Sequence, residues 1–170
     1  MTLARYAIRP VRPSDVPAVV AMVHDLAEYE RAADQCYLEP DQLTEALFAE
    51  QRALYGHVGV DPLTDEPVGF ALWFLNFSTW RGVHGIYLED LYVRPVARGT
   101  GLGRDLLATL AKICLDRGYH RLDWWVLKWN PARDFYAALG ATSLEDWVPY
   151  RMDADGLRQL AAHVQRAGRP

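Results

Sequence analysis

Three glycines at alternate positions, Gly99, Gly101 and Gly103, leave a stretch of main chain unshielded by side chains. They stand where a strand ends and a helical spacing of apolar residues begins, at Leu102, Leu106, Leu107, Leu110, Ile113 and Cys114. The first turn of a helix carries N–H groups without acceptors and a partial positive charge, so it suits an anion. A diphosphate fits such a seat. Thr100 completes the turn, and Arg98 and Arg104 flank it with guanidinium groups suited to charge-assisted hydrogen bonds. The same glycines also suit a tight strand-to-helix connection that binds nothing. Two other phosphate-binding patterns are excluded. No Lys-Ser/Thr pair follows the glycines, as a P-loop requires. Leu106 occupies the place where a dinucleotide fingerprint would set its third glycine.

Other chemistries find little support. The histidines at 24, 57, 84, 120 and 163 are scattered, with no metal-ligand spacing, so no metal is expected. Cys36 and Cys114 are too few for a disulfide framework, and Cys114 reads as a buried, inert thiol in a reducing compartment. The net charge of -4 and pI near 5.7 speak against nucleic acid and leave room for a cationic substrate. No apolar run approaches the ~20 residues of a membrane span. Met1–Tyr6 carries no apolar core of a signal peptide, so a cytoplasmic location is expected.

The elements that must position these groups follow from periodicity. A chain of 170 residues that is 51% hydrophobic suits a single domain over 1–170. Ala4–Arg9 reads as a strand. Pro13, Ser14 and Asp15 open a helix reaching Glu30, and Asp41–Gln51 reads as a second. Leu54–Val60, Pro67–Phe77 and Val83–Val93 follow as an antiparallel meander. Gly101–Arg117 is a helix closed by Gly118, and Arg121–Leu127 a strand. Asn130 and Pro131 open a short helix closed by Gly140. Trp147–Met152 reads as a last strand, and Asp155–Arg166 as a terminal helix. The expected class is α+β, with a mixed, mostly antiparallel central sheet flanked by helices on both faces.

A strand, a Pro-bounded turn and the Arg98–Gly103 segment resemble the acetyl-CoA motif of the GNAT superfamily of N-acetyltransferases. Tyr87–Asp90, Trp129, Asn130, Phe135 and Tyr136 resemble its diamine (spermidine/spermine-like, thialysine-like) branch, as do Ile8–Pro10 and Leu26–Glu30. The resemblance implies acetyl-CoA as donor, a small-molecule amine as acceptor, and a homodimer. In that reaction a neutral amine attacks a thioester, with both substrates held together. The residue matching Glu89 binds the amine and takes its proton. Adjacent strand residues alternate, so only one of Glu89 and Asp90 is expected to face the cleft. Partial burial would raise the Glu89 pKa and suit it to the task; a structural carboxylate paired with arginine is the other reading.

Tyr136 matches the family's acid for the departing thiolate. A bulge in the Glu89 strand would free N–H groups of Leu91, Tyr92 and Val93 for the thioester and pantetheine arm. Asn130 matches a residue that touches that arm, and equally suits a helix N-cap. The acceptor pocket maps onto Tyr29, Glu30, Asp123, Trp124, Trp125 and Glu145. Trp73, Trp80 and Trp129 are further aromatics that can stack on an amine or serve the core. Phe77–Trp80 replaces the acidic Asp-Pro loop of polyamine-specific members, and Ala33 and Asp34 replace two acidic residues. The spacing from Asn130 to Tyr136 is also one residue shorter than usual. These departures disfavour spermidine or another polyamine and favour a smaller amine: a diamine, a lysine-like amino acid such as thialysine, or another primary amine. A peptide or protein acceptor, or a non-catalytic acyl-CoA sensor, are the alternatives.

Overall fold

The computed structural model describes residues 6–167, with side chains through Val164. They form two compact units that meet in sequence at Lys128 and Trp129. The first holds the sheet. Its elements are β1 (Ala7–Pro10), α1 (Val16–Tyr29), α2 (Pro40–Phe48), β2 (Tyr55–Val60), β3 (Pro67–Ser78), β4 (Val83–Val93), α3 (Leu102–Arg117) and β5 (Leu122–Asp123). The strands lie in sequence order; β1 to β4 are antiparallel, and β5 joins β4 in parallel after the α3 crossover.

Strand alternation divides the sheet into two faces. Val58, Phe70, Leu72 and Tyr92 point to the face where Val16, Val19 and Met22 of α1 and Leu43 and Leu47 of α2 complete the core. Gly59 and Gly69, one residue away, face α3. A Cβ on Gly59 would lie 2.4 Å from Leu102, so glycine there lets α3 approach the sheet. Burying side chains of this size stabilises the fold by ~1.5–3 kcal/mol each.

The entry to α1 is fixed by charge. Asp15 is buried and accepts hydrogen bonds from the Arg12 main-chain N–H at 2.7 Å and from Arg9 at 2.6 and 3.0 Å. The exit of α3 is the expected one, with Gly118 at φ 69°.

The second unit contains α4 (Ala132–Ala138) and α5 (Ala154–Ala167). Three expected strands differ from the observed ones, two of them strongly. Arg121–Leu127 is in the sheet only at Leu122 and Asp123. Trp147–Met152 forms no strand among the described residues; Trp147, Val148 and Tyr150 are exposed. Pro149 lies in the middle of that stretch and has no N–H to give a ladder. The expected first strand begins later, at Ala7, and Ala4 and Arg5 lie outside the described residues.

Candidate active site

Glu89 is the extra residue of a β-bulge. Leu72 faces Asp90 across the ladder, and the next residue, Trp73, faces Leu88, so Glu89 has no opposite number. In an unbroken strand Leu88 and Asp90 would share a face. Here they face consecutive residues of β3 and therefore lie on opposite faces. Asp90 shares the face of Leu72, on the α1 side.

This changes the expected roles of the two carboxylates. Glu89 is exposed, so the burial anticipated for it falls on Asp90 instead. Burial pushes the Asp90 carboxyl up to about 6, and the negative charges of Glu89 and Glu30 push in the same direction. Burial also raises Glu30, at the end of α1. The charges of Glu89 and Glu30 both act on Asp90, so the three form an acid cluster. Asp90 is the member whose environment the sequence did not expose, because its burial depends on the bulge next to it.

β4 and the chain after β5 part at the same place. Pairing covers Ile86 with Leu122 and Tyr87 with Asp123, one residue before Leu88 and the bulge. Beyond it β4 has no ladder partner on that edge among the described residues. The Arg94 N–H donates to Val68 at 2.8 Å, toward β3. Donors alternate along a strand, so the N–H groups of Val93 and Leu91 turn to the open edge and that of Tyr92 toward β3.

The glycine turn leads from this edge into α3. Gly99 and Gly101 have φ of 75° and 92°, values that a side chain would strain. The main-chain N–H groups from Gly99 to Arg104 find no carbonyl in good geometry among the described residues. Thr100 ties the turn down, its hydroxyl donating to the Ala97 carbonyl at 2.7 Å. Donors without a main-chain acceptor among the described residues, with no Cβ at Gly99, Gly101 and Gly103, suit a diphosphate. Arg98 is engaged elsewhere. Its Nε donates to the Val93 carbonyl at 2.9 Å, and its guanidinium lies 5.9 Å from the Tyr29 ring and 5.5 Å from the Tyr92 ring. It thereby joins the strand end to α1.

Other expected residues have structural partners. Asp123 accepts from the Asn76 side chain at 3.0 Å and pairs with Arg121 at 2.9 Å, which offsets its charge. Trp125 is exposed and meets the Tyr87 ring edge-on at 6.1 Å, while Trp124 is half-buried. Trp73 is a core residue at 2% exposure, and Trp80 is exposed. In the second unit, the Asn130 side chain is buried and accepts from the Ala132 N–H at 2.9 Å, the capping role. Tyr136 is half-buried on α4 beside Phe135. Glu145 is exposed, accepts from Ser143, and lies 3.6 Å from Arg133.

An open-edged sheet leading through a glycine turn to a helix is a frame shared with known proteins. The profile of the Acetyltransferase (GNAT) family matches residues 20–141. Thialysine N-epsilon-acetyltransferase of Sus scrofa is 35% identical over 169 residues, which covers 94% of this chain and 99% of that protein. L-ornithine N5-acetyltransferase of Arabidopsis thaliana is 35% identical over 102 residues, covering 59% of this chain and 45% of the relative. The structure of an integron cassette protein from the mobile metagenome of V. cholerae superposes with a TM-score of 0.76 at 28% identity, covering 92% of this chain and 98% of that one. The chain belongs to the GNAT family of acetyltransferases. It is an acetyl-CoA-dependent N-acetyltransferase.

Proposed function

We propose that the acceptor is the primary amine of a small molecule, foremost a lysine-like amino acid such as thialysine, and that transfer is direct, within a ternary complex. The carrying observation is the acid cluster at the bulge. Glu30, Glu89 and Asp90 gather beside an open strand edge, and such a cluster favours an ammonium group over a neutral one. The likeness to a thialysine acetyltransferase over nearly the whole chain supports an amino acid with a distal amine.

In this reading the turn at Arg98–Arg104 holds the donor's diphosphate. The Leu91 and Val93 N–H groups receive the thioester carbonyl and the pantetheine arm. Glu89, exposed at the bulge, takes the proton from the amine, directly or through water. Asp90 stays charged above about pH 6 and anchors the ammonium before that proton leaves. The amine nitrogen forms a bond to the carbonyl carbon, the carbon–sulfur bond breaks, and the Tyr136 phenol gives its proton to the thiolate. Tyr29, with its ring exposed at the end of α1, borders the acceptor.

The test is an amine panel read by release of free thiol from acetyl-CoA. Thialysine, ornithine and short diamines are expected to stimulate release; lysine-bearing peptides are not. Stimulation by peptides alone would move the acceptor to protein, and no amine-dependent release would leave a binding protein. The apolar surface of Trp147, Val148 and Tyr150 supports a homodimer in solution.

A further inference from the structure

A second cleft opens in the sheet unit, and its lining includes none of Glu89, Asp90 and the glycine turn. It occupies about 280 Å3 at the start of β2, where β1 has ended, between the C-terminal parts of α2 and α3. Its floor is aromatic. Trp73 and Tyr55 stack with centroids 4.5 Å apart, and the His57 ring continues the stack at 6.1 Å from Trp73. Ile113 of α3 adds an apolar wall, and the charged groups on the lining are two arginines, Arg52 and Arg117. Arg52 lies over the Tyr55 ring at 5.6 Å. Arg117, in the last turn of α3, enters no ion pair or side-chain hydrogen bond among the described residues.

The histidine is fixed in one form. The Trp73 indole can only donate, and its Nε1 lies 3.2 Å from His57 Nδ1. His57 Nδ1 is therefore the acceptor, and its proton sits on Nε2 as a donor. Burial lowers the His57 pKa, so the ring is neutral near pH 7. The cleft thus combines a flat apolar floor, one fixed neutral donor and two cations, with no carboxylate on its lining. This is the reverse of the acid cluster at Glu89.

We propose that this cleft is a second ligand site, built for a small aromatic or branched apolar carboxylate, and separate from the amine and acetyl-CoA sites. The volume holds a ligand of about a dozen non-hydrogen atoms. The ring or branched body lies against Tyr55 and Ile113, with the buried Trp73 stacked behind Tyr55, and the carboxylate meets Arg117 and Arg52. Trp73 also links the cleft to the catalytic region, because it is the β3 residue that faces Leu88, next to the bulged Glu89. A ligand pressing on Tyr55, which stacks on Trp73, therefore acts on the strand register that presents Glu89.

The test is calorimetric titration of the full chain with 3-phenylpropionate, in saturating CoA so that the donor site is closed to the probe. The neutral 3-phenylpropionamide is the control. Saturable binding in the millimolar range or tighter is expected, at least tenfold weaker for the amide and at least tenfold weaker in Arg117→Gln. Both arginines are at the surface, so Arg52→Gln with Arg117→Gln should melt like the parent chain and abolish the titration. No heat at high millimolar probe, equal affinity for acid and amide, or unchanged affinity in the double variant would each overturn the proposal. Acetyl transfer in the double variant should match the parent without the probe, so failure here is distinguishable from failure of the amine reading.

Discussion

At the residue scale the most consequential group is Asp90. Its carboxyl is raised from 3.8 to about 6, first by burial and then by Glu89 and Glu30. The folded chain therefore holds this proton more tightly than the unfolded chain does. Stability from this group is full below about pH 4 and is lost as pH rises through about 6, a swing of about 3 kcal/mol. Asp90→Asn removes the cost of the charge, so it should raise the melting temperature at pH 8 relative to the parent while the gap closes near pH 4. The same variant should raise KM for the amine. Thermal melts across pH and initial rates check both. For the transfer step, Glu89→Gln and Tyr136→Phe should each lower kcat by about 10²–10⁴ with little change in the affinity for CoA. Full activity of both variants at all pH values would remove them from the mechanism.

At the element scale, the proposed mechanism assigns the positioning to the glycine turn and the bulge. Gly101 has φ 92°, so Gly101→Ala strains the start of α3 by about 1 kcal/mol and moves the free N–H groups. KM for acetyl-CoA should rise several-fold with a smaller effect on kcat, measured by steady-state rates. The turn was legible in the sequence because alternate glycines before an apolar helical period mark a tight strand-to-helix connection. They do not by themselves tell a phosphate seat from a connection that binds nothing. The meander was equally plain: Val83–Val93 has the limits expected from its β-branched and aromatic residues. The bulge was not legible, since it is a mismatch between two strands that neither strand carries alone. Reading Glu89 as the partly buried carboxylate follows from its place mid-strand among apolar and aromatic residues, and one unpaired residue is enough to leave it exposed and shift that burial to Asp90. The strand expected at Trp147–Met152 rested on aromatic and branched residues while Pro149 stood within it.

At the scale of the whole molecule, the sheet unit depends on a buried charge pair that closes its first turn. Arg9 and Asp15 meet at 2.6 Å with side chains only 14% and 5% exposed. Arg9→Met leaves the Asp15 charge without its partner and should cost about 3–5 kcal/mol. Adding Asp15→Asn should recover part of that loss, a coupling that denaturant melts can read. The Asp15 pKa is held low by Arg9 and the Arg12 N–H against the effect of its burial, so this contribution is present at neutral pH and is lost on acidification. Light scattering should find two copies of the chain per particle, and Trp147→Ser with Tyr150→Ser should shift it toward one copy.

In the proposed mechanism, main-chain donors take the diphosphate at one end and the thioester at the other. Amide hydrogen exchange on the full chain, with and without saturating CoA, tests this most directly. The predicted result is slowed exchange at Gly99–Arg104 and at Leu91 and Val93, with little change at Tyr92, whose N–H already faces β3. Protection confined to other segments, or equal exchange at the turn in both states, would contradict it.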